Sequence, residues 1–216
     1  MLIKYVNIKY TIKGSDTLYK IKPLDLNSLK PVLSSETLYH HYQKHQNYLN
    51  KLNELLIKNN YDFRYSLEEL VNHIDIFPLE DRGDILFNLG GVLNHNLYWD
   101  SVSDINHEPF GKVLNKIEEQ YETFDNFKKE FINKANKLVG SGYTFLVLDK
   151  NDDLNIINLS NQETPYSYNF RPIMTIDMWE HAYYLDYYSK KQEYINNFFS
   201  ILDFDKINSN YEKEIQ

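Results

Sequence analysis

Apolar residues recur at helical spacing in two long segments of the first half of the chain. In residues 35–56 they stand at Leu38, Tyr42, Leu49, Leu52, Leu55 and Leu56. In residues 80–99 they stand at Ile85, Leu86, Leu89, Val92, Leu93, Leu97 and Tyr98. Spacings of three and four residues put side chains on one face of a helix, so both segments are predicted to be α-helices. Ser34 and Ser35 stand at the start of the first segment, as is typical of a helix N-terminus.

A short helix is predicted between the two long ones. Glu69 follows Ser66 by three residues, which is the spacing of a capping box at the start of a helix. Two long helices joined by a loop and a short helix predict a helical hairpin over residues 19–103, preceded by an N-terminal extension, residues 1–18. Gly90 and Gly91 interrupt the second long helix, and this pair predicts the close approach of another group.

The second half of the chain, residues 104–216, begins with helical spacing and then changes to a period of two. Helices are predicted for residues 112–121 and 125–138, the latter closed by Gly140. Strands are predicted for residues 143–148, 154–159 and 173–176, and helices return from Glu180. The predicted fold class is therefore α+β: an N-terminal helical hairpin followed by a mixed C-terminal half, in which helices flank a three-stranded antiparallel sheet.

The composition limits the kinds of metal ligand and binding partner that the chain can have. The 216 residues include no cysteine, which excludes disulfides, thiolate metal sites and a cysteine nucleophile, and leaves histidines and carboxylates as the available metal ligands. The net charge of −8 and the lack of a basic block argue against nucleic acid as a partner. No apolar run is long enough to span a bilayer, and the N-terminus lacks the features of a signal peptide, so we expect a cytoplasmic protein with no membrane partner.

Several of the seven histidines are spaced as metal ligands could be. His41 on the first long helix and His95 on the second can face each other within a hairpin. Asp177 ends a predicted strand, and His181 follows it by four residues. Three imidazoles and one carboxylate suit manganese, iron or zinc. A buried histidine can equally be a satisfied core residue, and the Asp-x-x-x-His spacing also arises by chance, so the residues alone leave both interpretations open.

Four motifs in the same order resemble the iron/manganese superoxide dismutases, and the resemblance covers about residues 19–199. Residues 177–184, Asp-Met-Trp-Glu-His-Ala-Tyr-Tyr, are similar to the family signature D-x-W-E-H-A-Y-Y, which is highly specific. Residues 94–99 resemble N-H-x-x-[FY]-W, and residues 140–146 resemble G-S-G-W-x-W-L. The fourth match is the first long helix, over residues 36–53.

The resemblance implies an enzyme that converts superoxide to oxygen and hydrogen peroxide by redox cycling of one manganese or iron ion per chain. The implied metal ligands are His41, His95, Asp177 and His181. The implied catalytic residues around them are Tyr48, Gln162 and His45. Iron enzymes of the family commonly carry a glutamine four residues before the second histidine, where this chain has Gly91, whereas Gln162 occupies the position typical of manganese enzymes. The resemblance therefore favours manganese.

The resemblance also implies a homodimer or a tetramer. Glu180 and Tyr184 match residues that cross the dimer interface in the family, and His45 is the expected contact of Tyr184 in the other subunit. Intramolecular partners for both residues are the alternative. Lys44, with Arg171 or Lys191, is expected near the mouth of the site, where a cation would attract superoxide.

The chain departs from the family pattern in ways that leave alternatives. The first helix is one residue shorter than usual: counting back from Tyr48 makes His40 the ligand, whereas counting forward from residues 36–37 makes it His41. Loss of one residue from a wide helical turn would put His41 and Tyr48 on one face, which favours His41. Tyr143 and Phe145 replace two tryptophans. The competing functions are an inactive structural subunit with the dismutase fold and an oxygenase that uses two histidines and one carboxylate.

Overall fold

The N-terminal half folds as the predicted helical hairpin in a computed structural model that describes residues 18–24, 29–105 and 108–213. Its elements are α1 (Ser35–Lys58), α2 (Leu67–Asn72), a short 3-10 helix (Ile74–Ile76) and α3 (Leu79–Ser101). Local signals define the helix starts: the Ser34 side chain accepts a hydrogen bond from the backbone N–H of Thr37, and Ser66 and Glu69 form the capping box. Residues 1–17 of the predicted extension lie outside the described residues.

The two long helices pack through the apolar faces that their spacing predicts. Buried leucines of α1 contact buried aliphatic residues of α3 in one cluster, which α2 closes from the side. The cluster includes Leu49, Leu52, Leu55, Leu56, Leu70, Val71, Ile85, Leu89, Val92 and Leu93. Each buried aliphatic side chain contributes about 1.5–3 kcal/mol to folding, so this cluster dominates the stability of the hairpin. Lys58 at the end of α1 donates to Asp81 in the first turn of α3, with Nζ 2.7 Å from Oδ1.

The C-terminal half contains a three-stranded sheet with helices around it. After α4 (Gly111–Tyr121) and α5 (Phe124–Asn136) come β1 (Gly142–Leu148), β2 (Leu154–Ser160) and β3 (Arg171–Asp177). Both pairings are antiparallel, in the order β2-β1-β3. The chain continues through α6 (Tyr184–Tyr187), α7 (Lys191–Phe198) and α8 (Phe204–Glu212), with short 3-10 helices at Pro165–Tyr168, Glu180–Ala182 and Phe199–Ile201. The predicted α+β fold is confirmed.

Two local predictions were wrong. Helix α5 ends at Asn136 with Lys137 as its C-cap, so Gly140 does not cap it; Gly140 adopts a φ of +79° in the turn before β1. Strand β3 begins at Arg171, two residues earlier than predicted. An irregularity between Leu146 and Val147 of β1 shifts the register there and lets the start of β3 continue the pairing.

The two halves share a continuous core. Leu38 of α1 and Tyr98 of α3 pack in the same buried cluster as Met174 and Ile176 of β3 and Phe198 of α7. The carboxyl end of β3 therefore enters the space between α1 and α3, where polar side chains of both halves can meet. Among the described residues, no helix is both long and apolar enough to cross a bilayer.

Candidate metal centre

Helix α1 presents three of the predicted site residues on one face. It is a continuous α-helix from Ser35 to Lys58, so His41, His45 and Tyr48 follow one another at spacings of four and three residues. His41 is fully buried and points into the space between the hairpin and β3. His40 is exposed. The structure therefore puts His41 at the centre and His40 outside it.

The other predicted ligands converge on His41 from three different elements. His95 lies on α3, Asp177 ends β3, and His181 lies in the 3-10 helix that follows. The Nε2 atoms of His41, His181 and His95 lie 3.0, 3.3 and 3.8 Å from Oδ2 of Asp177. One ligand atom from each of the four residues can be chosen so that all lie within 4.8 Å of one another. Donors about 2 Å from a shared ion have spacings of this order, so the cluster can hold one metal ion.

The protonation states of the cluster suit metal binding. Burial raises the pKa of the Asp177 carboxyl, but the neighbouring His181 and His41 outweigh burial and hold that pKa below its usual range. Burial lowers the pKa of His41 and, further still, that of His95. The centre at neutral pH therefore combines an ionised carboxylate with neutral buried imidazoles, which are the forms that bind metals.

Unpartnered polar atoms in the centre are a second sign of a bound cation. Nε2 of His95 and Nε2 of His181 are buried and have no hydrogen-bond partner among the described residues. Buried polar atoms are nearly always satisfied, because leaving one unpaired destabilises the fold. Both atoms face the Asp177 carboxylate, so a cation between them would satisfy the nitrogens and the carboxylate together.

Hydrogen bonds with backbone groups orient His95 and Asp177 toward the centre. The Nδ1 atom of His95 lies 2.7 Å from the carbonyl oxygen of Gly91, which keeps the proton on Nδ1 and directs the Nε2 lone pair into the centre. The backbone N–H of Trp179 donates to Oδ1 of Asp177 at 2.8 Å and leaves Oδ2 facing the histidines. The ring and the carboxylate are thus held in position by the protein.

The glycine pair in α3 brings Tyr48 and Gln162 close to His95. A Cβ atom at Gly90 would lie 1.9 Å from the carbonyl oxygen of Gln162, and one at Gly91 would lie 2.5 Å from Cγ of Tyr48. The predicted close approach is confirmed for both glycines. Nε2 of Gln162 donates to the Tyr48 hydroxyl at 3.0 Å, so the two side chains form a hydrogen-bonded pair beside the ligands.

Family comparisons agree with this geometry over most of the chain. Residues 18–103 match the family model described as Iron/manganese superoxide dismutases, alpha-hairpin domain. Residues 109–210 match the one described as Iron/manganese superoxide dismutases, C-terminal domain. The chain belongs to the iron/manganese superoxide dismutase family. Members of this family bind manganese or iron, act on superoxide and typically form oligomers.

His45 lies beside the cluster of four candidate ligands and does not belong to it. Its Nδ1 accepts a hydrogen bond from Nε1–H of Trp99 at 3.2 Å, and its ring stacks on His95 with the centroids 5.2 Å apart. Burial lowers the pKa of His45 to about 3, so the ring is neutral. Nε2 of His45 is buried without a partner among the described residues. Trp99, the partner of Nδ1, was not singled out from the sequence.

The mouth of the centre is a cavity of about 410 Å³ beside α1 and the signature segment. Its lining comprises His40, Gln43, Lys44, Asn47, Glu180, His181, Tyr184 and Leu185. Lys44 is placed as expected, but the expectation for Arg171 and Lys191 was wrong. Arg171 stands at the opposite end of β3 from Asp177 and donates to the carbonyl of Lys213. Lys191 donates to the carbonyl of Leu138 and does not line the cavity.

The aromatic residues that replace the two family tryptophans are both fully buried. Phe145 belongs to an apolar cluster with Leu97 and Tyr143. The Tyr143 hydroxyl lies 3.3 Å from Nδ1 of His95, so this residue adds a polar group to the centre. The signal that could have indicated this was the strand register, which pairs Tyr143 with Asp177.

Proposed function

We propose that this protein is an active superoxide dismutase that converts two superoxide anions and two protons to oxygen and hydrogen peroxide with one bound manganese or iron ion. The observation that carries the proposal is the buried cluster of three histidines and Asp177 in a chain of this family. The bound metal supplies one-electron redox chemistry by changing between two oxidation states. His41, His95, Asp177 and His181 would hold it.

The surroundings of the cluster favour a small anionic substrate. Three of the ligand residues, His41, His95 and Asp177, are fully buried, and the partly exposed His181 meets the cavity at the mouth. His41, His95 and Asp177 are fully buried, which argues against direct binding of a bulky organic substrate by the cluster and hence against an oxygenase. All four ligand residues are present, and this argues against an inactive structural subunit.

Tyr48 is the proposed proton-bearing residue. Its hydroxyl oxygen accepts a hydrogen bond from Nε2 of Gln162, so its own proton is available to a group in the site. Burial raises the pKa of the Tyr48 phenol, and the hydroxyl therefore keeps its proton at neutral pH. Formation of peroxide consumes two protons, and a positioned hydroxyl can donate to the developing anion. His45, neutral and in stacking contact with His95, completes this part of the site.

We further propose manganese as the preferred metal. Gln162 bonds Tyr48 from a loop of the C-terminal half, and a side chain at position 91 would collide with the Tyr48 ring. Position 91, where iron enzymes carry their glutamine, therefore cannot hold a glutamine side chain unless the Tyr48 ring moves. Iron is generally bound more tightly than manganese by the same ligands, so supply in the cell will also influence loading.

We propose that the subunits form a homodimer, or a tetramer built from it, through the face that carries Glu180 and Tyr184. Both residues line the mouth, and Tyr184, Leu185 and Tyr188 leave 47%, 46% and 65% of their surface exposed. Neighbouring exposed apolar side chains mark interaction surfaces, and a second copy would cover these. Oligomers are typical of the family.

A pair of neighbouring histidines provides a matched test of the function. We expect His41→Gln to lose the bound metal and superoxide turnover, because one of the four ligands is removed, whereas His40→Gln should keep about one manganese or iron ion per chain. Elemental analysis and a dismutation assay on the same samples measure both. A metal-loaded wild-type protein that fails to consume superoxide, or a His41→Gln protein that remains active, would overturn the proposal.

A further inference from the structure

The segment that carries Asp177 and His181 is contacted at both of its ends by one tyrosine of α7. Tyr194 is fully buried, and its hydroxyl donates to the backbone carbonyl of Asp177 at 3.1 Å. Its ring stacks on that of Tyr183, with the centroids 5.0 Å apart and an angle of 18° between the ring planes. Tyr183 follows His181 by two residues, so the two contacts enclose residues 177–183, which supply two of the four candidate ligands.

The geometry of the sheet explains why the Asp177 carbonyl needs this donor. Strand β3 lies at one edge of the sheet, and just after its last residue the N–H of Met178 donates to the carbonyl of Gly142 in β1 at 2.9 Å. Backbone groups of successive residues in an antiparallel strand point alternately toward and away from the partner strand, so the Asp177 carbonyl points away from β1. Buried backbone carbonyls are nearly always hydrogen-bonded, and the Tyr194 hydroxyl provides the donor from outside the sheet.

The Tyr194 oxygen also lies beside a residue that touches the ligand on α1. Because the Tyr194 proton goes to Asp177, this oxygen can accept the proton of Tyr98, whose oxygen lies 3.5 Å away. The Tyr98 ring in turn packs on the His41 ring, with the centroids 4.8 Å apart. Tyr194 therefore lies behind the segment of Asp177 and His181 and, through Tyr98, behind His41 as well.

We propose that Tyr194 is a positioning residue that holds Asp177 and His181 at the spacing of the ligand cluster by fixing both ends of residues 177–183. The spacing is close: Nε2 of His181 lies 3.3 Å from Oδ2 of Asp177. The segment has left the strand at Asp177 and contains only a short 3-10 helix, Glu180–Ala182, so its own backbone hydrogen bonds hold it weakly. The inference rests on the metal binding within the proposed function, but not on superoxide turnover.

A neighbouring tyrosine provides a matched control. Tyr187 packs against Tyr194 with the centroids 5.7 Å apart, is also buried, and donates its hydroxyl proton to the backbone carbonyl of Val32 at 2.7 Å. Each hydroxyl also lies within hydrogen-bond distance of one further side chain, Tyr98 for Tyr194 and Asn197 for Tyr187. Tyr194→Phe and Tyr187→Phe therefore remove the same group from the same aromatic cluster, but only the first removes a hydrogen bond to a ligand residue.

Cobalt(II) is a suitable probe, because histidines and carboxylates also bind this ion and its visible absorption depends on their arrangement. In the full-length protein we expect Tyr194→Phe to shift the cobalt absorption bands and to weaken cobalt binding by about 10–100-fold, the usual effect of losing a group that orients metal ligands. Tyr187→Phe should keep the wild-type bands and affinity, although urea unfolding of the metal-free variants should show similar losses of stability. Wild-type bands and affinity in Tyr194→Phe, or equal changes in both variants, would overturn the proposal.

Hydrogen exchange tests the positioning role in the metal-free protein. The N–H of Trp179 donates to Oδ1 of Asp177 at 2.8 Å, so its exchange rate reports whether the carboxylate stays in place. We expect Tyr194→Phe to speed this exchange about tenfold, the effect of losing one hydrogen bond of ordinary strength, and Tyr187→Phe to leave it unchanged. An unchanged rate in Tyr194→Phe would refute the inference even for an active dismutase. A wild-type protein that binds metal but does not consume superoxide would instead contradict the proposed function and leave both tests of Tyr194 valid.

Discussion

Three glycines of α3 allow the close contacts around the metal centre to be tested by one chemical change. Gly83, Gly90 and Gly91 lie in the same helix, but an added Cβ atom would meet different surroundings at each. At Gly83 nothing lies within 4 Å. At Gly90 the Cβ atom would lie 1.9 Å from the backbone oxygen of Gln162, and at Gly91 it would lie 2.5 Å from the Tyr48 ring. Alanine at the three positions therefore separates helix propensity from steric conflict.

The expected free energies of unfolding follow from these contacts. Replacing glycine by alanine within a helix stabilises it by about 0.5–1 kcal/mol, so Gly83→Ala should gain that amount. Overpacking a close-packed region costs about 1–3 kcal/mol. Gly90→Ala meets a backbone atom that cannot rotate away, so we expect it to be about 1–3 kcal/mol less stable than Gly83→Ala. Gly91→Ala meets a ring that can tilt, so part of its effect should appear as displacement of Tyr48.

Urea unfolding of the metal-free proteins measures the stabilities, because a bound metal would add its own binding energy to that of folding. Metal-loaded samples of the same variants then report superoxide turnover. We expect Gly91→Ala to lose turnover through the displaced Tyr48, and Gly83→Ala to keep it. The reasoning is refuted if Gly90→Ala proves as stable as Gly83→Ala, since the two would then share only the propensity gain.

Two further predictions concern acidity and assembly. Burial lowers the pKa of His45 to about 3 from its ordinary value of 6.5. Below pH 6.5 the unfolded chain therefore binds a proton at His45 that the folded chain does not bind, so the free energy of unfolding decreases as the pH is lowered. Between pH 7.5 and 5 the free energy of unfolding should fall by about 2 kcal/mol through this residue, and urea unfolding of His45→Asn should show a correspondingly weaker pH dependence than wild type. Equal pH dependence in the two proteins would contradict this prediction. Glu180→Ala and Tyr184→Ala should weaken the dimer and so lower the sedimentation coefficient at micromolar concentration. If the wild-type protein is already monomeric at that concentration, neither residue has the proposed role in an interface.

Local sequence patterns were sufficient to predict the helices and strands that carry the site residues. The helical spacing of α1 and α3 and the capping box of α2 all act within a few residues, so a single sequence contains the information needed to find them. The three strands were found for the same reason. The end of α5 was missed because Gly140 resembles a cap, although the helix already ends at Asn136.

Contacts between distant segments could not be derived in this way. The collision that requires glycine at position 90 involves Gln162, and the Tyr143 hydroxyl reaches a histidine 48 residues away in sequence. A glycine pair indicates that something approaches closely, but its partner depends on how the hairpin docks on the sheet. Strand register is the nearest clue, since it pairs Tyr143 with Asp177.

The shortened first helix shows how geometry chooses between two candidate ligands. An α-helix turns by about 100° per residue, so seven residues amount to two turns within about 20°, whereas eight residues leave an angle of about 80°. Because α1 runs without interruption through this region, His41 shares the face of Tyr48 and His40 cannot. His45, four residues after His41, lies about 40° from it on the same face. Regular pitch thus brings His41, His45 and Tyr48 together toward His95, and it leaves His40 at the mouth, where it can contact an approaching anion but not a metal held by Asp177.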